Sequence, residues 1–191
     1  SQAVGGTPGQ LNPNALENIA PLILNVKHTP VIPRPTDPVI VMTRVLDEQA
    51  GGLTVNLHYR VDTSTYQAGV YPTYNAASYT VVPMFDDGAH GDDLANDGVY
   101  AAQIPAMPDK KIVEFFVEAL DTTGLSRTWP APAQSNASGS VKDEQVTNLL
   151  YQVDAAYDPA AVWTAGKQPI YYLIMTEMER GRFEAIGNNG S

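Results

Sequence analysis

Hydrophobic and polar residues alternate along the middle of this chain. In the stretch 39–46, Val39, Val41 and Val45 lie on one face. The alternation is clearest over residues 53–61, where Val55, Leu57 and Tyr59 point one way. A period of two residues places one face of a strand on a core and the other face in solvent. Both segments are therefore predicted to be β-strands.

Four more short segments have the same character, and tight turns separate them. Strands are predicted at Tyr79–Pro83, Val99–Ile104, Ile112–Leu120 and Leu125–Trp129. Turn residues such as Asp121–Gly124 follow at intervals of about ten residues, as is typical of all-β domains. The pattern predicts an all-β fold, an antiparallel β-sandwich of immunoglobulin or fibronectin-III type, over residues 38–131.

The two flanks of this region have a different pattern. Residues 1–37 are rich in glycine and proline, and they predict an extended N-terminal strap or linker in which Ile23, Leu24 and Val26 lie on an edge of the domain. Residues 132–145 predict a linker. Residues 146–191 predict a short α/β C-terminal segment, with strands at residues 149–153 and 170–176 and a helix over residues 177–186. This segment has too few apolar residues for a core of its own, so it either docks on the sandwich or begins another domain.

Composition narrows the possible functions. The chain has 191 residues, of which 43% are hydrophobic, so one ordinary domain can bury a core. The net charge of −10 argues against nucleic acid or an anionic membrane as a partner, and it permits the binding of cations. Cysteine is absent, which excludes disulfides, thiolate catalysis and cysteine-based zinc sites. No run of 18 apolar residues is present, so membrane insertion is not expected.

The most unusual stretch runs from Met84 to Tyr100. Its carboxylates come from five residues, with glycines between them and no Lys or Arg: Asp86, Asp87, Asp92, Asp93 and Asp97. Calcium prefers several carboxylate and carbonyl oxygens held by a glycine-rich turn, although the spacing here is not that of an EF-hand. The alternative is that each Asp caps a turn through its own backbone. The sequence leaves open whether these five residues form a Ca²⁺ site or a set of capped turns.

The remaining polar and aromatic side chains give weaker indications of a functional site. His90 is expected to hydrogen-bond a carboxylate, His58 to be an exposed surface residue, and neither shares a metal-ligand spacing with His28. No Gly-x-Ser-x-Gly elbow, glycine-rich phosphate loop or His-Arg-Asp stretch occurs, so no catalytic or cofactor-binding residue is predicted. The tyrosines at positions 66, 71, 74 and 79 either form a sugar- or peptide-binding face or cover an open edge of the sandwich.

Several motifs carry a resemblance to known families. The stretch Asp86–Tyr100, together with Ile104-Pro105, residues 113–124 and Trp129-Pro130, resembles the Ig-like domain of large exported bacterial proteins. Gly6-Thr7-Pro8-Gly9 with Asn12 resembles the end of a bacterial lamin-tail domain. Residues 149–154 and 169–176 resemble the opening of a CotH-type, kinase-like domain, which follows the Ig-like domain in those proteins.

The resemblance implies that residues 1–37 end a lamin-tail-like domain, that residues 146–191 begin a CotH-like domain, and that the protein is extracellular or on the cell surface. It implies a non-catalytic spacer or interaction module whose partners are the neighbouring domains of the parent chain. One alternative is a calcium-dependent module that binds carbohydrate or protein. Another is an accessory part of a CotH-type kinase-like enzyme.

Overall fold

The structure is a computed structural model that describes residues 18–49, 51–66, 77–135, 142–145, 148–161, 164–168 and 171–188. These residues form ten strands and one helix: β1 Leu22–Thr29, β2 Val39–Leu46, β3 Thr54–Val61, β4 Thr80–Pro83, β5 Val99–Ile104, β6 Ile112–Leu120, β7 Ser126–Trp129, β8 Ala133–Ser135, β9 Lys142–Glu144, β10 Leu149–Gln152 and α1 Glu177–Asn188.

Two antiparallel sheets pack face to face. Sheet one has the order β1-β2-β5, and sheet two has the order β10-β6-β3-β4, with β7 also paired to β6. The inward side chains of both sheets form one core, which includes Val41 of β2, Leu57 of β3 and Phe115 of β6, all at 0% exposure. The alternating residues therefore fill the space between two layers. The prediction of an immunoglobulin or fibronectin-III-like β-sandwich is confirmed.

The limits of the strands follow the sequence pattern closely. Strands β2, β5 and β6 have the predicted limits, and the other predicted strands of the sandwich agree to within one residue. The strand predicted over residues 170–176 is wrong in its described part, because residues 171–176 have no regular secondary structure. Tyr171 is 85% exposed and Leu173 is 75% exposed, so these apolar side chains have no core to enter.

Helix α1 begins where it was expected, and a capping box explains why. The Thr176 hydroxyl accepts from the Glu179 N–H at 3.3 Å, and the Glu179 carboxylate accepts from the Thr176 N–H at 3.0 Å. This reciprocal pair satisfies two backbone donors of the first turn. Gly181 lies against Tyr66, and a β-carbon built on this glycine would stand 2.5 Å from the Tyr66 side chain. Gly181 lowers the helix propensity of this segment, but it also leaves the space in which Tyr66 packs. The glycine therefore allows the helix to dock.

The last strand of sheet two is built from two separate pieces. Strand β7 pairs with residues 117–120 of β6, and β10 pairs with residues 112–115 of the same strand. Both pieces are antiparallel to β6, so together they follow its length. Tyr151 in β10 and Val153 just after it are 0% and 1% exposed. Strand β10 lies within the segment 146–191, which the sequence assigned either to a further domain or to a docked segment.

Strand β1 lies within the predicted N-terminal strap. It forms the outer strand of sheet one, and Ile23 is 3% exposed. The register shifts between Leu24 and Lys27, where Asn25 has φ 54°. Such a bulge keeps a strand paired while it follows a twisted neighbour. The expectation that Ile23, Leu24 and Val26 lie on an edge of the domain is confirmed, and the edge is a paired strand.

The described chain enters and leaves the sandwich at opposite ends. At one end, Asn18 Nδ2 donates to Asp121 Oδ2 at 2.7 Å, immediately after β6. At the other end, the Val153 N–H donates to the Lys111 carbonyl at 2.9 Å, immediately before β6. Helix α1 docks at this second end, where the Glu177 N–H donates to Asp62 Oδ2 at 2.8 Å. A nine-residue strand such as β6 spans about 30 Å.

Candidate functional site

Residues 84–98 join β4 and β5, and we call the part from Asp86 to Gly98 the acidic loop. The loop lies across the outer face of sheet one. A β-carbon built on Gly91, whose φ is 104°, would stand 2.6 Å from Ile40 Cγ2 of β2. Ala101 is 0% exposed, although it lies on the side of β5 that faces away from the core. The loop is therefore packed against the sheet over part of its length.

Asp86 and Asp97 close the end of the loop next to β5. The Asp86 carboxylate accepts from the N–H groups of Asp97 at 3.1 Å and Gly98 at 2.9 Å, one on each oxygen. Asp97 Oδ1 accepts from the Val99 N–H at 2.9 Å. Both carboxylates therefore satisfy backbone donors that the turn leaves unpaired.

Asp87 and His90 form a pair at the surface of the loop. His90 Nδ1 lies 2.9 Å from Asp87 Oδ2, and the Ala89 N–H donates to Asp87 Oδ1 at 2.9 Å. The hydrogen bond from His90, followed by the one from Ala89, lowers the pKa of Asp87. The prediction that His90 bonds a carboxylate is confirmed. The His90 ring also packs on the Phe85 ring, with 4.5 Å between their centroids.

Asp92 differs from the other acids because it is buried, at 3% exposure. Its Oδ2 accepts from the Gly88 N–H at 2.7 Å. Burial raises the pKa of Asp92, but the backbone N–H of Gly88 and those of its neighbours outweigh burial and lower the pKa overall. Its Oδ1 is buried with no hydrogen-bond partner among the described residues. Asp93 is exposed, and no hydrogen bond of its side chain is described.

The loop geometry bears on the two hypotheses for the five carboxylates. Backbone N–H groups account for Asp86, Asp87 and Asp97 as caps of turns. Within the described residues, no group of three or more His, Cys, Asp or Glu side chains is placed to hold a metal ion. The Ca²⁺ site at Asp86, Asp87, Asp92, Asp93 and Asp97 stays a prediction.

A groove of about 440 Å³ opens beside the acidic loop. It lies between the β2–β3 turn, the start of the acidic loop and the first residues of β5. Its lining comprises Gly51, Gly52, Leu53, Thr54, Val55, Pro83, Met84, Phe85, Asp86, Asn96 and Tyr100. Burial raises the pKa of Tyr100, and the charge of Asp86 raises it further, so the phenol keeps its proton at neutral pH. Sequence reasoning missed this groove, because its lining residues come from three separate segments.

The outer face of sheet two carries a second group of polar residues, which we call the polar cluster: Arg60, Tyr79, Glu114 and Asn148. Arg60 Nη2 lies 3.0 Å from Glu114 Oε2, and the two side chains are 14% and 5% exposed. Asn148 Nδ2 donates to the Tyr79 hydroxyl and to Glu114 Oε2, both at 2.8 Å. The Arg60 guanidinium lies 4.3 Å from the centre of the Tyr79 ring. The cluster thus fixes the start of β10 to the sheet.

One sequence signal could have found this cluster. Arg60 and Glu114 are direct cross-strand partners in β3 and β6. Pairing the two strongest predicted strands in antiparallel register would have placed these opposite charges face to face. The contribution of Asn148 could not have been found in this way, because it follows a segment predicted to be a linker.

The expectation that His58 is an exposed surface residue is wrong. Its ring stacks on Phe116 with 4.4 Å between centroids and 9° between planes, and its Nε2 lies 3.1 Å from Glu118 Oε2. The His58 side chain is 16% exposed. A polar residue on the outer face of a strand loses exposure when aromatic side chains pack beside it. The alternation of polar and apolar residues carries no information about those neighbours.

The predicted tyrosine face is described only in part. Tyr79 is half-buried in the polar cluster, and Tyr66 packs against Gly181 of α1. Positions 71 and 74 lie outside the described residues. The two described tyrosines therefore cover the sandwich, which favours the second of the two interpretations for them.

Comparison with known proteins identifies the sandwich. Residues 35–117 match a family model described as the conditioned medium factor 2nd Ig-like domain. This part of the chain is similar to an Ig-like domain, in agreement with the β-sandwich fold. No curated protein matches the chain. The matched range runs from just before β2 into β6, and it includes the acidic loop and all of the groove lining. The resemblance to lamin-tail and CotH-type domains stays a prediction.

Proposed function

We propose that this chain is a non-catalytic Ig-like module that separates and orients its neighbours within an exported multidomain protein. The observation that carries the proposal is the placement of the two flanking segments. One joins the sandwich beside Asn18, and the other runs from Val153 to the docked helix α1 at the opposite end of β6. A module with this geometry holds two neighbours about 30 Å apart.

The contacts at both ends favour a fixed spacing over a loose one. The Ile19 N–H donates to the Glu48 carboxylate, and Arg127 Nε donates to the Pro21 carbonyl at 2.8 Å. At the far end, Lys110 Nζ lies 2.8 Å from Asp154 Oδ1, and the Asp154 N–H donates to the Pro33 carbonyl at 2.9 Å. Each flanking segment is thus bound to more than one strand connection, so it cannot swing freely.

A distance measurement tests this geometry, and the absence of cysteine makes labelling simple. Spin labels on the exposed positions of Ile19→Cys and Ala156→Cys should give one narrow distance distribution at about 30 Å or more. The matched control, Ile19→Cys with Leu125→Cys, places both labels at the same end and should give a much shorter distance. A broad distribution for the first pair would contradict a spacer with fixed ends.

The finer context comes from the resemblance. We place the module in an exported or cell-surface bacterial protein, between a lamin-tail-like and a CotH-like domain, with those neighbouring domains as its partners. In the alternative with a kinase-like neighbour, residues 146–191 contribute to the enzyme. ATP turnover by a longer chain that includes the following region, with none by this chain, supports the placement. Turnover by this chain alone would overturn the non-catalytic assignment.

Calcium binding is the second candidate function, and one observation favours it. Asp92 Oδ1 is buried in an acidic loop without a hydrogen-bond partner among the described residues, and an unpaired buried oxygen is costly unless a ligand satisfies it. The proposed ligand is Ca²⁺, which prefers carboxylate oxygens.

Calcium should then raise the melting temperature, and chelator should lower it. Asp92→Asn should abolish the shift and Asp93→Asn, at an exposed acid, should weaken it less; no shift in the unmodified chain would exclude this function.

A further inference from the structure

The groove beside the acidic loop has the size and the position of a ligand site. Its volume of about 440 Å³ falls within the usual range for small-molecule sites, roughly 300–1,000 Å³. It lies at the end of the sandwich where the loops between strands meet, and its rim is made by Phe85, Asp86 and Asn96. None of these three side chains belongs to the core.

The floor and one wall of the groove are apolar and fixed in place. Met84 is 4% exposed and anchors the floor, while Phe85 is 41% exposed at the rim. One side of the Phe85 ring packs on His90, which limits its rotation. Tyr100 packs against the core and also faces the groove. Two aromatic residues are thus presented to a ligand without needing rearrangement.

Backbone without side chains forms the opposite wall. Gly51 has φ 93°, and a β-carbon at this position would meet nothing within 4 Å. Gly52 has φ 80°, and a β-carbon there would stand 2.3 Å from Thr122 Cγ2. The left-handed backbone requires glycine at both positions. Because no side chain projects from this wall, a ligand can approach the backbone.

The polar groups at the rim can both donate and accept. The Asp86 carboxylate is held by the N–H groups of Asp97 and Gly98, and each of its oxygens retains a second lone pair. Asn96 has φ 63°, which holds its backbone in the left-handed region, and its exposed amide offers a donor and an acceptor. The Thr54 side chain adds a hydroxyl.

Charge decides between the classes of ligand. No Lys or Arg lines the groove, and the acidic loop beside it carries five carboxylates, so an anionic ligand would be repelled. The Asp86 carboxylate is fixed by two backbone donors, so its free lone pairs are held in place to accept hydrogen bonds from a ligand. A ligand with hydroxyl groups for Asp86 and Asn96 and an apolar face for Phe85 and Tyr100 fits this lining.

We propose that this groove binds an uncharged carbohydrate, with Phe85 and Tyr100 against the apolar face of a sugar ring and Asp86 and Asn96 on its hydroxyls. This site goes beyond the spacer role, and it does not depend on calcium, since its polar groups are positioned by the chain itself. One chain can have both functions, because the groove and the contacts of residue 154 lie at opposite ends of the sandwich.

Titration of the isotope-labelled chain by NMR tests the proposal. The probes are neutral tetrasaccharides of glucose, N-acetylglucosamine, mannose and xylose, with tetragalacturonate as the acidic comparison. At least one neutral probe should shift the backbone signals of residues 51–55, 83–86 and 96–100, and tetragalacturonate should not. If no neutral probe shifts these signals at millimolar concentration, or if the acidic probe shifts them equally, the proposal is overturned.

Two variants and a matched control locate the site. Asn96→Gly removes the amide and keeps the left-handed backbone, and it should weaken binding about tenfold; Phe85→Ala should weaken it at least as much. Phe183→Ala removes a ring of α1 that is more exposed than Phe85, at 64% against 41%, and should leave binding unchanged. Equal affinity for all these variants would overturn the assignment.

Repeating the titration in chelator and in Ca²⁺ separates this proposal from the calcium function. Binding is expected under both conditions. Binding that appears only with Ca²⁺ would overturn the calcium-independent groove and support the calcium-dependent module. The distance measurement between the two ends of the sandwich is independent of either result, so the spacer role and the groove can fail separately.

Discussion

The acidic loop and the polar cluster both stabilise negatively charged carboxylates, but they do so in different ways. In the loop, carboxylates close together in sequence are stabilised by nearby backbone N–H groups, and most of them remain exposed. In the polar cluster, Arg60 and Glu114 come from different strands, are nearly buried and neutralise each other. Local hydrogen bonds can be lost one at a time, whereas a buried pair fails as a unit. Removing one acid should therefore cost far more in the cluster than in the loop.

The largest effect is expected for Glu114→Gln. The substitution keeps the shape of the side chain but removes the negative charge that faces the nearly buried Arg60 guanidinium, and it should cost about 3 kcal/mol of unfolding free energy. Denaturant unfolding of the variant and the unmodified chain measures the difference. Glu118→Gln is the control on the same strand, because Glu118 is more exposed and bonds only a histidine in the described contacts. Equal losses for the two variants would remove the distinction between buried and exposed pairs.

Gly91→Ala should have the next largest effect. The new β-carbon would meet Ile40 at 2.6 Å, and the residue would also be forced into a left-handed backbone, so we expect a loss of about 2 kcal/mol. Gly124→Ala is the matched control, since φ is 88° there and a β-carbon would meet nothing within 4 Å. Its loss should be about 1 kcal/mol, from the backbone alone. If both variants lose the same stability, the acidic loop does not pack on sheet one as described.

Asp86→Asn tests the loop itself. An amide oxygen can replace only one of the two acceptors used by Asp97 and Gly98, so a loss of about 1 kcal/mol is expected. Asp93→Asn changes an exposed acid in the same loop, and the unfolding free energy should stay within about 0.5 kcal/mol. Thermal or denaturant unfolding in chelator measures both. A larger loss for Asp93→Asn than for Asp86→Asn would show that backbone capping does not stabilise the loop.

The smallest expected effect is a dependence on pH. Burial lowers the pKa of His28, and the Pro30 carbonyl offsets this only in part. The unfolded chain takes up this proton near pH 6.5 and the folded chain only at lower pH, so stability falls as the pH drops through that window. The lowered pKa of Asp87 acts separately, because its contribution is present above about pH 4 and is lost below.

His28→Gln should flatten the slope of stability against pH between 7 and 5.5 and leave the loss below pH 4 in place. Urea unfolding at several pH values gives both slopes. Unchanged slopes in the variant would mean that His28 is not responsible, and the other titratable groups would have to account for the dependence.

Much of the sandwich could be predicted because its information is local. Period-two alternation is encoded within each strand, so the limits of β5 and β6 followed directly from the sequence. The same holds for α1, whose capping box lies within four residues. The turn caps of the acidic loop are also local, and the Asp-Gly pairs indicate them. In these cases one short segment contains both partners of the interaction.

The rest could not be predicted because the partners lie far apart in sequence. The groove combines the β2–β3 turn with Phe85 and Tyr100, and the polar cluster joins Asn148 to residues of β3 and β6 and to Tyr79, just before β4. Strand β10 was predicted as a strand over residues 149–153, but its pairing with β6 was not, because it follows a segment rich in Pro, Ala, Ser and Gly that is typical of a linker. The strand predicted near residue 171 failed for the reverse reason, since its apolar residues have no layer to pack on.

The division of the last strand gives this module a mechanical property. Tension between the two flanking segments acts along the sandwich. Once α1 has detached from Asp62, β10 would be sheared along β6, with its hydrogen bonds loaded together. Shear resists force better than peeling, because no bond breaks alone. If β10 nevertheless released, the chain between Trp129 and Leu149 would extend by on the order of 60 Å while β7 stayed paired. The module would then lengthen under load before the rest of the sandwich unfolded.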